Sequence, residues 1–276
     1  MQSDRGKILR LWGTASRGGG SSIAKDARFS PLSVSPILLR WRLTGESFER
    51  MLAWLSGFIP PERGCFFADR RALNIPRQVR CGGNVRLKIV QAGEPVLRQA
   101  GRLLTRQEIL SDELQRLIRD MKETMQDAPG VGLAAPQVGL SLQLAVIEDR
   151  WELLNNLPPE ELAEKDRRPV PFHVVINPQI TSRGDTNVVF YEGCLSLSGY
   201  SAVVPRARDI RVEYLDEQGE YRSVEASGWY ARILQHEIDH LQGALYIDRM
   251  YTRTFSTVEN WNRFWKGKPI GEAPPA

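Results

Sequence analysis

Apolar residues fall into a clear rhythm between positions 111 and 126. Leu114, Leu117, Ile118, Met121 and Met125 recur at steps of three and four, the spacing that gathers side chains on one face of a helix. Ser111 stands where an N-cap is wanted and Pro129-Gly130 ends the run, so the pattern predicts a helix over 111–126 with its stripe in a core. The segment 141–147 alternates or runs apolar, as a strand does, and shorter strand patterns follow at 172–176, 187–191, 202–205, 209–215 and 221–226. The turn Asp216-Glu-Gln-Gly219 joins the last two as a hairpin. Upstream, 87–90 is a further short strand candidate before a turn at Gly93-Glu-Pro95, and the charged, proline-containing 149–168 reads as an excursion or loop. A second helix is expected from an N-cap at Ser227 to Gly243, which stops it. Helix, strands, helix in that order predicts an α+β fold, with mixed or antiparallel sheets packed around the C-terminal helix.

The first 86 residues lack this order. Gly18-Gly-Gly-Ser-Ser22, Ser30 to Pro36 and Pro60-Pro61 interrupt any long element, leaving room for one short amphipathic helix around 46–58. Charge divides at the same place: residues 1–86 carry 15 Lys+Arg against 6 Asp+Glu, the remainder 22 against 27. A basic flank on a mildly acidic body gives no nucleic-acid motif. The Arg- and Ser-rich, acid-poor start has the composition of an organellar transit peptide, or of an extension foreign to the fold. We expect residues 1–84 to be a basic extension, disordered or non-native, 85–262 to be the catalytic domain, and 263–276 to be a tail. The longest apolar run, 51–60, is short of the roughly 20 residues of a membrane span, so no membrane partner is expected. Three cysteines cannot all pair, which favours a reducing compartment.

Two of the three histidines lie four apart in Leu234-Gln-His-Glu-Ile-Asp-His-Leu-Gln-Gly243. On a helix that spacing puts His236 and His240 on one face, as two ligands of one metal, with Glu237 beside them to handle a proton. The helix is otherwise mostly apolar, and polar groups on such a helix need partners. A catalytic metal needs a third protein ligand and an open position. The metzincin protease pattern would place a third histidine where this chain has Tyr246; Glu259, 19 residues beyond His240, and Cys194 are the remaining candidates.

Three segments in order, Gly130-Val-Gly-Leu-Ala-Ala-Pro-Gln137, Glu192-Gly-Cys-Leu-Ser196 and Gln235-His-Glu-Ile-Asp-His240, closely resemble the signature motifs of peptide deformylases. The resemblance runs from about residue 87 to about 261. It implies ligands Cys194, His236 and His240 around one divalent metal, Fe²⁺ by family and with Zn²⁺, Ni²⁺ or Co²⁺ also compatible with the donors. It implies Glu237 as the base that takes a proton from water and returns it to the departing amine. The Gln137 amide and the Leu195 N–H are implied as oxyanion donors, each worth about 3–4 kcal/mol in comparable sites. Val131, with Gly132 and Gly193 lacking side chains, would dock a peptide as an added strand. Trp229 and Ile233, seven and three residues before His236, are the candidate methionine pocket. Glu192 and Arg206 are expected as an ion pair holding the cysteine loop, and His173 as non-catalytic. The implied substrates are N-formylmethionyl nascent peptides, met in transient proximity to the ribosome. The implied compartment is a bacterial cytoplasm, or a mitochondrion or plastid if residues 1–84 are a transit peptide. Leu197-Ser-Gly-Tyr200 lacks the proline usual in bacterial members, and 226–232 and 253–260 resemble the subgroup that includes organellar enzymes.

Overall fold

A computed structural model of the chain describes residues 79–81, 84–268 and 270. The helix expected at 46–58 and nearly all of the basic extension lie outside the described residues. Helix α1 (Asp112–Asp127) forms where the rhythm places it, with the Ser111 hydroxyl accepting from the Leu114 N–H at 3.2 Å. Leu114, Leu117, Ile118, Met121 and Met125 are all buried, each contributing about 1.5–3 kcal/mol by leaving water.

Strands β1 (Val79–Cys81) and β2 (Asn84–Arg86) pair as a small antiparallel hairpin. The strand expected at 87–90 is not one. Its backbone is satisfied by single cross-links instead of a ladder: Leu87 N–H to Thr124 Oγ1 at 3.0 Å and Val90 N–H to Gln137 O at 2.9 Å. Next come β3 (Gly132–Ala134), β4 (Leu144–Asp149), β5 (Val170–Arg183), β6 (Asn187–Glu192), β7 (Tyr200–Ala207), β8 (Asp209–Leu215) and β9 (Tyr221–Ser227). Helix α2 (Gly228–Leu241) follows, then β10 (Ser256–Thr257) and helix α3 (Val258–Phe264). One sheet runs β3-β4-β5-β8-β9 and a second β10-β7-β6, with every pairing antiparallel. Within 149–168, expected as a loop, the short helices Trp151–Leu154 and Pro159–Glu164 form. Their few apolar residues carry no helical period long enough to register in the sequence.

Alternation along the larger sheet sends side chains to two cores. Val146, Val174 and Ile176 meet the α1 stripe on one face, while Ile147, Val175 and Val212 meet Ile233, Leu234 and Ile238 of α2 on the other. The sheet is thus sandwiched between the two long helices, and α2 is buried along most of its length. Ser227 sits at the N-cap position of α2, but its side chain makes no capping bond. At the other end Gly243 takes φ +77°, the left-handed turn for which glycine is suited. The boundaries expected at 84/85 and 262/263 fall inside the β1–β2 hairpin and α3. Among the described residues no helix is long and apolar enough to cross a membrane.

Candidate active site

Helix α2 carries His236, Glu237 and His240 toward the smaller sheet, with the imidazole centroids 4.9 Å apart. Cys194 comes from the link between β6 and β7, at the N-cap of the one-turn 3-10 helix Leu195–Leu197. Its Sγ accepts from the Ser196 N–H at 3.4 Å and lies 3.2 Å from His240 Nε2. The sulfur and one nitrogen from each ring all lie within 4.8 Å of one another, the one such group found among the described residues. Glu259, the rival third ligand, is exposed on α3 and outside this group. A thiolate and two imidazoles at this spacing suit a borderline divalent ion, so the residues present fit a metal.

A buried carboxylate behind His236 fixes the orientation of that ring. Glu192 is buried; it accepts from Arg206 at 2.9 and 3.0 Å, from Arg232 at 2.6 Å and from His236 Nδ1 at 3.0 Å. That last bond turns His236 Nε2 to the cysteine side, the usual way an outer carboxylate aims an imidazole. Burial works to raise the Glu192 carboxyl, but hydrogen bonds from His236 and Arg206 outweigh it and hold it well below the usual range. Arg206 also reaches Asp239, which takes two further bonds from Arg249 at 2.6 and 2.7 Å. Burial, followed by the charge of His236, holds His240 well below the ordinary imidazole range, in the neutral form that ligates.

Glu237 is buried, and its Oε2 has no hydrogen-bond partner among the described residues. Burial pushes its carboxyl up to about 7, with the neighbouring His236 charge acting the other way. Its side chain rests on Gly132: a Cβ built there would lie 2.2 Å from Glu237 Oε1 and 2.5 Å from Cδ. Gly132 was expected to clear a way for substrate; here it clears a place for Glu237. Gly193 has no such constraint, since a Cβ there would meet only Tyr200 O at 3.5 Å.

Gln137, also buried, has its Oε1 held by the Ala134 N–H at 2.8 Å. This fixes the amide, so that its Nε2 faces Ser196 Oγ at 3.4 Å and Cys194 Sγ at 3.5 Å. A cleft of about 410 Å³ opens over these groups, and Val131, Gly132, Gly193, Leu195, Trp229 and Ile233 all line it. The Trp229 indole is wedged between Phe190, edge-on at 6.3 Å, and the cations of Lys165 at 5.1 Å and Arg167 at 5.2 Å. Tyr200 and Val258, not anticipated from the sequence, complete the rim. His173 stands apart from the cleft, bonded to Pro171 O at 2.9 Å and to the Tyr230 hydroxyl at 3.0 Å.

The expected Glu192–Arg206 pair is present, but its partners Arg232 and Asp239, and Arg249 beyond Asp239, are not anticipated from the sequence. The signal was available: Asp239 sits on an apolar helix, where a carboxylate must find a cation.

The polypeptide deformylase family profile matches residues 86–255. The chain is 48% identical over 172 residues to the chloroplastic peptide deformylase 1A of Solanum lycopersicum, a match covering 62% of either chain. It is 46% identical over 198 residues to peptide deformylase 1 of Bifidobacterium longum, 71% of this chain and 88% of that one. The match therefore spans about three-fifths of the tomato relative's length and most of the bacterial one's. Among solved structures, a class I type b peptide deformylase from Acinetobacter baumannii with Met-Ala-Ser bound superposes with a TM-score of 0.55. It is 33% identical, over 60% of this chain and 99% of that one. With the fold, the Cys–His–His cluster and a profile match over most of the described residues in agreement, this chain belongs to the peptide deformylase family.

Proposed function

We propose that the chain is a metal-dependent amide hydrolase that removes the formyl group from N-formylmethionyl nascent peptides, releasing formate and a free amine. The observation that carries this is the meeting of Cys194 Sγ with His236 and His240 beside the buried Glu237, at a cleft that Cys194, His236 and Glu237 line. Cys194, His236 and His240 would hold the ion. A bound divalent metal would polarise the formyl group and make a water easier to deprotonate.

The chain's own groups supply the rest. Glu237, held against Gly132 and with no hydrogen-bond partner at Oε2 among the described residues, takes a proton from the attacking water and delivers it to the leaving nitrogen. Charge developing on the formyl oxygen meets the Gln137 amide and the Leu195 N–H. Strand β3 is an edge of its sheet, which supports the reading that an extended peptide pairs with the backbone beginning at Gly132, next to Val131. Backbone pairing reads no sequence, which suits an enzyme acting on many chains. The methionine side chain enters between Ile233 and Trp229. The A. baumannii relative with Met-Ala-Ser bound supports this reading, since that is the kind of N-terminus the reaction would leave.

Family resemblance favours Fe²⁺ as the working ion, with Zn²⁺, Ni²⁺ and Co²⁺ compatible with the same donors. The substrates put the protein transiently near ribosomes that initiate with formylmethionine. We place it in a bacterial cytoplasm, or in an organelle if residues 1–84 act as a transit peptide. The test is formate release from formyl-Met-Ala-Ser under anaerobic conditions, with metal measured on the same sample. Wild type should turn over, and Glu237→Gln should keep its metal yet lose about 10²–10⁴-fold in kcat. Full turnover by that variant would refute the assignment of the base.

A further inference from the structure

Gln137 and Leu195 come from different elements, linked directly only by the long contacts of Gln137 Nε2 with Ser196 Oγ at 3.4 Å and Cys194 Sγ at 3.5 Å. The segment 90–92, which runs past both, adds a second and shorter set of links. Val90 N–H donates to Gln137 O at 2.9 Å, and Ala92 N–H donates to Ser196 O at 2.8 Å. Between them the Gln91 side chain spans the one-turn helix after Cys194: its Nε2 donates to Leu195 O at 2.9 Å and its Oε1 accepts from the Ser198 N–H at 3.3 Å. The segment is anchored at its start, with Leu87 buried and Ile89 packed on the core that holds α1.

We propose that Gln91 is a positioning residue of the active site: by gripping the turn Leu195–Leu197 at both ends, it holds the Leu195 N–H at a fixed distance from the Gln137 amide. This rests on the reading of those two groups as oxyanion donors. Gln91 does not line the cleft and is not one of the cluster Cys194, His236 and His240. It acts through the tilt of one short turn, whose N–H must point at the place where charge develops and not at the ground-state carbonyl. Both of its bonds lie in solvent-exposed surroundings, where a hydrogen bond adds little to net stability. A merely structural role would therefore leave little trace, whereas a positioning role should be visible in the chemical step.

The experiment compares wild type, Gln91→Ala and Gln91→Glu in steady-state deformylation of formyl-Met-Ala-Ser, with metal content and Tm measured on each. Gln91→Glu keeps the length and the acceptor for Ser198 while removing the donor to Leu195 O, so it should behave like the alanine variant. In both, kcat should fall about tenfold, a fraction of the cost of losing a donor outright, with KM within about twofold and metal content unchanged. Unchanged kcat in either variant, a rise confined to KM, or activity lost in proportion to metal would each overturn the assignment. Wild-type turnover in the same assay tests the underlying deformylase reading separately.

Discussion

A single methyl group at Gly132 should disable the enzyme without unfolding it. A Cβ at that position would lie 2.2 Å from Glu237 Oε1, 2.5 Å from Cδ and 2.8 Å from Cγ. Ordinary contacts need about 3.5 Å, so relief requires Glu237 to retreat by about 1 Å. The obstructing atoms are the far end of a flexible side chain, not backbone, and Gly132 does not occupy a left-handed conformation that an alanine would resist. The fold can therefore accept Gly132→Ala by moving Glu237. Chemistry cannot accept it so easily, because a misplacement of this size costs about 10²-fold in rate. The expected result is kcat for formate release down by about 10²-fold, with metal content unchanged and only a small shift in Tm. The assay is the formyl-Met-Ala-Ser reaction on metal-matched samples, with thermal unfolding followed alongside. A Gly132→Ala protein that turns over like wild type would refute the account of why glycine is needed there.

Cys194→Ala removes one of the three proposed ligands, and equilibrium dialysis should show a loss of metal affinity exceeding the roughly 10–100-fold typical of losing an orienting partner; unchanged occupancy would take Cys194 out of the site. Arg206→Ala leaves Glu192 and Asp239 buried with fewer partners. It should cost about 3 kcal/mol, lowering Tm by about 10 °C, as read by calorimetry; a shift near zero would mean that the other arginines suffice. Deleting residues 1–78, upstream of the β1–β2 hairpin, should leave deformylation of formyl-Met-Ala-Ser largely intact. A dead truncated protein would show that the basic flank belongs to the working fold.

What the sequence made legible follows from what repeats in it. The α1 stripe and the pair His236–His240 are periodic, so the helix and the shared face could be read directly. The β8–β9 hairpin was visible because its strands meet at a turn with a glycine, and their ladder runs from Asp209–Ser227 to Leu215–Tyr221. Strand β3 was hidden: three small or apolar residues carry no alternation, and only pairing with β4 makes them a strand. The two short helices of 149–168 were hidden for a similar reason, being one or two turns each. Within the site, residue types pointed to the cluster of Cys194, His236 and His240 that the fold brings together, whereas the contact of Gly132 with Glu237 depends on two elements distant in sequence. The sequence signalled that Asp239 needs a cation, but nothing local says that Arg206 and Arg249, out of many arginines, would supply it.

That buried web of carboxylates and guanidinium groups has a consequence for how the metal is gained and lost. Glu192 at the end of β6, Arg206 on β7, Asp239 on α2 and Arg249 beyond it are tied together without any help from an ion. Helix α2 and strands β6 and β7 are thus joined, and His236 oriented through Glu192, by protein contacts alone, so loading resembles filling a finished socket more than nucleating a fold. A stripped protein should accordingly remain folded and wait, able to take up whichever suitable ion its surroundings offer first.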